Sequence, residues 1–259
     1  MMSLTTLLYD LDDGIATVTL NRPDKRNSFN AALIRELTDL FEALGRDESV
    51  RVVILQGAGK VFCAGMDLAY LQEIAQFSVL DNIRDSQTFR TMLHTIFTCP
   101  KPVIAQVHGA AIAGGCGLAS VCDFVVAGRE KALFGYSEVK IGFVPAIVSV
   151  YLVRKIGDTQ ARRLLLSGDN IRADEALRLG LITHVADDEA LESEVRRLAH
   201  TLAQNSQSSL ALTKAILSDM HGMSLETALE HACTVNAVTR MTDDFRRGVA
   251  SFLEKEKKM

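Results

Sequence analysis

The chain of 259 residues has no tryptophan, only four prolines and no CxxC pair. The prolines are Pro23, Pro100, Pro102 and Pro145, so nothing beyond residue 145 breaks a helix by fixing φ and removing an amide. Five cysteines, Cys63, Cys99, Cys116, Cys122 and Cys233, are an odd number without a paired spacing. That pattern reads as buried free thiols in a reducing compartment, which favours a cytoplasmic protein over a disulfide scaffold. The N-terminal MMSLTTLLYDLDDG carries acids where a signal peptide has lysines, so secretion is not expected. The six histidines show no metal-ligand spacing, and no metal site is expected. Net charge is −4 with no basic run, which argues against a nucleic-acid partner. The longest stretch without formal charge, Pro102–Cys122, contains Gln106, His108 and several glycines and opens like a strand. It is not a membrane span.

Hydrophobic residues make up 48% and charged residues 23%, the balance of a globular protein with a sizeable core. Leu7–Tyr9, Ile15–Leu20, Val50–Gln56, Val103–Val107, Phe124–Ala127, Ala132–Phe134 and Leu181–Val185 read as strands. Leu33, Ile34, Leu37, Leu40, Phe41 and Leu44 repeat at helical spacing behind Asn30, a capping residue. Further helices are expected from about Asp67, over about 83–97, and from Pro145 onward. The organisation is an α/β core over residues 1–200 with a helical C-terminal region over 201–259.

Several familiar motifs fail. GAGK at 57–60 has Ile54 and Val61 where a phosphate loop needs glycine and Ser/Thr. Gly115-Cys116-Gly117 opens a dinucleotide fingerprint whose last glycine would fall on Ser120. There is no GxSxG elbow. His108, in an apolar context, reads as a satisfied core histidine.

What recurs is a buried strand, a glycine loop and a helix start: VVILQGAGKVFCAGMDL, then VIAQVHGAAIAGGCGL. The first amides of a helix have no internal partner. Two such loops side by side can aim two backbone N–H groups at one oxygen, forming an oxyanion hole. The same glycines can equally serve close packing of backbone on backbone.

Four segments carry a resemblance: NRPDKRNSFN (21–30), KVFCAGMDL (60–68), KPVIAQVHGAAIAGGCGLASVCD (101–123) and FGYSEVKIGFVPA (134–146). In their order and spacing the chain resembles the enoyl-CoA hydratase/isomerase (crotonase) family over nearly its whole length. The resemblance implies a crotonase-like spiral of ββα repeats with a C-terminal helical trimerisation region, as a homotrimer or a hexamer of paired trimers. It implies an acyl-CoA thioester substrate, with coenzyme A as part of the substrate and no separate cofactor, in reactions such as those of fatty acid metabolism. Carried over by motif, the oxyanion donors are the backbone N–H groups of Met66 and Gly114. The CoA moiety would lie along Lys25, Arg26, Ser28, Ala64, Asp67 and Leu68. Phe252 and Lys255 would reach the nucleotide from the same or a neighbouring subunit.

A hydratase of this family typically uses two glutamates. One matches Glu138; at the other position this chain has Gly117, and no acid lies between Gly109 and Cys122. Glu138 is then the single acid/base, unless it is only a surface glutamate. One carboxylate can hydrate a 2-enoyl-CoA, including a methylglutaconyl-CoA, by delivering both parts of one water; it can also isomerise a 3-enoyl-CoA. A catalytically silent acyl-CoA-binding scaffold is the third reading.

Overall fold

The computed structural model describes residues 4–256, with side chains to 254. In chain order the strands are β1 Leu7–Asp12, β2 Ile15–Leu20, β3 Val52–Gly57, β4 Val103–Val107, β5 Ala110–Ile112, β6 Phe124–Gly128, β7 Leu133–Gly135, β8 Asn170–Arg172 and β9 His184–Ala186. The helices are α1 Ala31–Arg46, α2 Leu68–Ile74, α3 Val79–Phe97, α4 Gly114–Ser120, α5 Ala146–Ser167, α6 Ala173–Arg178, α7 Leu191–Ala203, α8 Gln207–Asp219, α9 Leu225–Thr239 and α10 Asp243–Glu256.

The main sheet has the order β1-β2-β3-β4-β6-β9, and a second sheet has the order β5-β7-β8. Only β1–β2 is antiparallel in the main sheet; the other pairs are parallel and need the intervening helices as crossovers. The central strands are apolar on both sides because both faces are covered. On β3, Val53 and Leu55 pack into the larger core, with Leu33, Leu37 and Phe41 of α1 and Met92, Leu93 and Ile96 of α3. Their neighbours Val52 and Ile54 face the other way, into a smaller core with Leu191, Val195 and Ala199 of α7. The period-two alternation thus supplies two hydrophobic layers from one strand.

Helix starts follow their caps. Asn30 accepts from the Leu33 amide at 2.9 Å, and Asp67 accepts from Ala69 at 3.0 Å. Ser78 accepts from Asp81, so α3 begins about a turn earlier than its apolar spacing predicts. Strand β8 is short and was not expected; it exists because Asn170–Arg172 pairs antiparallel with β7. The expected strand at Leu181–Val185 forms only from His184. Four thiols are buried and free as expected, but Cys233 is exposed on α9. His108 bonds the Gly59 carbonyl at 3.0 Å, and burial lowers its pKa.

Candidate active site

The two glycine loops leave the C-terminal ends of neighbouring parallel strands, β3 and β4, and are stapled to each other. Cys63 N donates to Ala110 O at 3.1 Å, and Ile112 N donates to Cys63 O at 2.9 Å. The loops run backbone on backbone, which only glycine permits. A Cβ at Gly115 would overlap the Cys63 carbonyl, and one at Gly109 would overlap the Lys60 carbonyl. For these two glycines, close packing is the use.

Beyond the staple the loops present two amides. Gly65 has φ +87°, a left-handed turn, and a Cβ there would stand 3.4 Å from the nitrogen of Gly114. The next amide in the chain is that of Met66. Met66 is bridged to Phe29 through its flanking groups: Phe29 N donates to Gly65 O, and Asp67 N donates to Phe29 O. Neither the Met66 amide nor the Gly114 amide has an acceptor among the described residues. Gly114 follows Ala113, whose φ of 53° and ψ of −125° are costly for a residue with a Cβ. Bonds from Ala113 N to Gly135 O at 2.7 Å and from Gly117 N to Ala113 O at 3.0 Å hold this conformation. A Cβ at Gly114 would press on the Phe89 ring at 3.1 Å and on Phe29 at 3.4 Å. The bareness of Gly114 therefore seats an edge-to-face aromatic pair, Phe29 and Phe89 at 5.3 Å.

Glu138 begins a short 3-10 turn, Glu138–Ile141, behind β7. It is 7% exposed, and its Oε2 has no partner among the described residues. Burial pushes its carboxyl above the usual range, opposed by its own backbone amide. A surface glutamate is thereby excluded. Cys116 and Tyr136 lie within its electrostatic reach, both fully buried, with the Cys116 thiol pushed up to about 12 by burial.

The position of the missing second carboxylate is filled. A Cβ at Gly117 would overlap Val148 Cγ1 and stand 3.1 Å from Val148 Cβ. Val148, on the first turn of α5, is 3% exposed. The wall on that side of α4 is an isopropyl group, not an acid.

The 21–30 loop is organised by residues that the sequence reading did not single out. Asn27, fully buried in the left-handed region, donates to Ala58 O and Val61 O, each at 2.8 Å, and accepts from Arg22 N at 2.9 Å. Arg22 pairs with Asp67 at 2.9 Å and also donates to Ser28 O. Burial pushes the Asp67 carboxyl up, but the Arg22 bond and the Ala69 amide outweigh it and hold it low. The Asp67 side chain is thus committed to folding the loop. Ser28 is 6% exposed, whereas Lys25, Arg26 and Leu68 are exposed and Ala64 is half-buried, its amide on Arg26 O at 3.0 Å. The signal for Arg22 and Asn27 was the polar pattern of NRPDKRN itself.

Phe252 is 65% exposed on α10 and lines a surface pocket together with Ser206, Ser209 and Phe245. Its helix packs on α8, which Lys214 ties to Lys101 O and Asp123 at the N-terminal ends of β4 and β6. One chain therefore puts Phe252 at the end of the strands opposite the glycine loops. The Lys255 side chain lies outside the described residues. A groove of about 440 Å³ runs between α3 and α5, lined by Val79, Ile83, Gln87, Arg90 and Ile147 among others. Among the described residues no cluster of His, Cys, Asp and Glu could hold a metal, and no helix is long and apolar enough to cross a membrane.

Residues 10–259 match the family model described as enoyl-CoA hydratase/isomerase. A Thermus thermophilus protein provisionally named enoyl-CoA hydratase is 42% identical over 93% of this chain and 95% of its own. The crotonyl-CoA hydratase of Syntrophomonas wolfei is 32% identical over 99% and 98%. The crystal structure of an enoyl-CoA hydratase from Mycobacterium smegmatis superposes with a TM-score of 0.91 at 35% identity, covering 97% of each chain.

Proposed function

The chain belongs to the enoyl-CoA hydratase/isomerase family and has its crotonase fold, and from that premise we propose that it adds water across the double bond of a 2-enoyl-CoA thioester. Glu138 is the acid/base of this reaction. Its carboxylate takes a proton from a water molecule as the water oxygen bonds to C3. Electrons move to the thioester oxygen, giving an enolate, and Glu138 returns the proton to C2. The net addition of H and OH comes from one water on one face. The Met66 and Gly114 amides bond the enolate oxygen, where each donor is worth about 10²–10³ in rate. Lys25 and Arg26 suit the CoA phosphates, and the backbone around Ala64 and Leu68 lies along the same path. The α3–α5 groove suits the acyl tail.

The observation that supports this reading is the buried carboxylate of Glu138, whose Oε2 is without a partner, in a chain whose stapled glycine loops leave the amides of 66 and 114 unbonded, all among the described residues. The test is steady-state hydration of crotonyl-CoA and methylglutaconyl-CoA by the native protein and by Glu138→Gln. The variant should lose a factor of about 10²–10⁴, the usual share of a general acid/base. Equal rates would remove Glu138 from the mechanism.

Val148 in place of a second acid favours one alternative, migration of a 3-enoyl double bond to C2, which needs one base and no water. Incubation with 3-hexenoyl-CoA, followed as the conjugated thioester, separates the two when hydration is assayed in parallel. The exposed apolar residues of α9 and its end, Leu225, Leu229, Val238 and Met241, support a homo-oligomer joined through the C-terminal helices.

A further inference from the structure

Lys155 points its ammonium inward, where nothing in the reaction above uses it. Its Nζ donates to Ser120 O at 2.8 Å and to Cys122 O at 3.2 Å, the carbonyls at the far end of α4. It makes no ion pair among the described residues. The acid within electrostatic reach, Asp123, is bonded instead to Lys214 at 2.7 Å and to the Val103 amide at 2.8 Å. The other titratable groups within reach are the Cys116 and Cys122 thiols, both neutral because burial pushes each up to about 12. Burial lowers the pKa of Lys155, and Cys122, Asp123 and Cys116 oppose that shift. An ammonium without an ion-pair partner is thus held at one end of a seven-residue helix whose other end is Gly114.

We propose that Lys155 is a positioning residue for the thioester enolate: it anchors the end of α4 and contributes a fixed positive charge that favours the anion held at Gly114. Seven residues are too short for a useful helix dipole, so the charge acts directly. The helix is about 10 Å long, which places the ammonium roughly 13 Å from the anion. At an effective dielectric of about 20, that is worth a factor of about five to ten. The inference rests on the enolate reading of the two loops.

The experiment uses acetoacetyl-CoA, a 3-ketoacyl thioester whose enolate absorbs in the near ultraviolet. The pH at which the bound ligand ionises measures stabilisation of the anion. It is titrated free, bound to the native protein, and bound to Lys155→Met and Lys155→Gln. Glutamine can still donate to the carbonyls but has no charge. The expected result is ionisation at lower pH on the native protein than in solution. On both variants the midpoint moves back up by 0.7 to 1 unit, a five- to tenfold change, and kcat falls with little change in KM. Native protein that leaves the ligand's ionisation unmoved would overturn the enolate reading and this inference with it. A native shift that survives in both variants, or in Lys155→Gln alone, would overturn the inference and leave the reading standing. Variants that only melt lower, with the midpoint unchanged, belong to that same outcome.

Discussion

At Gly117 and Val148 two residues compete for one volume. Adding a methyl at 117 overfills a packed site, which typically costs about 1–3 kcal/mol. Gly117→Ala should therefore melt lower than the native protein, and Gly117→Ala/Val148→Ala should recover most of the loss, giving a non-zero coupling in a double-mutant cycle. Additive effects would mean that the two side chains do not meet. Glu138 makes a second prediction. Its pKa is raised by burial, so the folded state binds more protons than the unfolded state between the ordinary carboxylate pKa and the raised one. Stability then falls as pH rises through that window. Glu138→Gln should melt higher than the native protein above the window and level with it below. Calorimetry at a series of pH values checks the sign.

The polar loop before α1 behaves as an element held by Asn27. Truncating this side chain strands two carbonyls and one amide that it now satisfies. Buried groups left without partners cost about 1–3 kcal/mol each, so Asn27→Ala should lose about 3 kcal/mol or more in denaturant unfolding. Affinity for CoA esters should fall with it, because Lys25 and Arg26, the proposed CoA contacts, ride on the same loop. Most elements were legible in sequence because their signals are local: β2 and β4 have the expected limits, and Asn30 caps α1 where its chemistry required. What was not legible depends on distant partners. Strand β8 exists by pairing with β7, across some 35 residues of chain. Arg22 gains its role from Asp67, and the Gly117 vacancy from Val148. Glu138 was found through its motif, but its burial and orphaned oxygen are properties of the fold.

For the molecule as a whole, α8 and α9 bury no side chain completely in one chain, while Leu225 and Met241 are 77% and 70% exposed. These open apolar helices are the faces that the proposed homo-oligomer would cover. Leu225→Glu/Leu229→Glu should lower the mass measured by light scattering, with far-ultraviolet circular dichroism retained. An unchanged mass would overturn the proposed interface. In an assembly built through these helices, Phe252 belongs to whichever neighbour its helix approaches.

Because the two glycine loops lie main chain to main chain, a Cβ at Gly109 or Gly115 would overlap a carbonyl of the other loop. The groove between α3 and α5 lies outside that contact, so its lining can change without a Cβ entering the staple. A mutant library confined to 79–87 of α3 and to Ile147 of α5 would alter the groove without touching Phe89 and Val148, which pack against α4 at Gly114 and Gly117. The architecture separates a groove that can accept new side chains from a backbone contact that cannot.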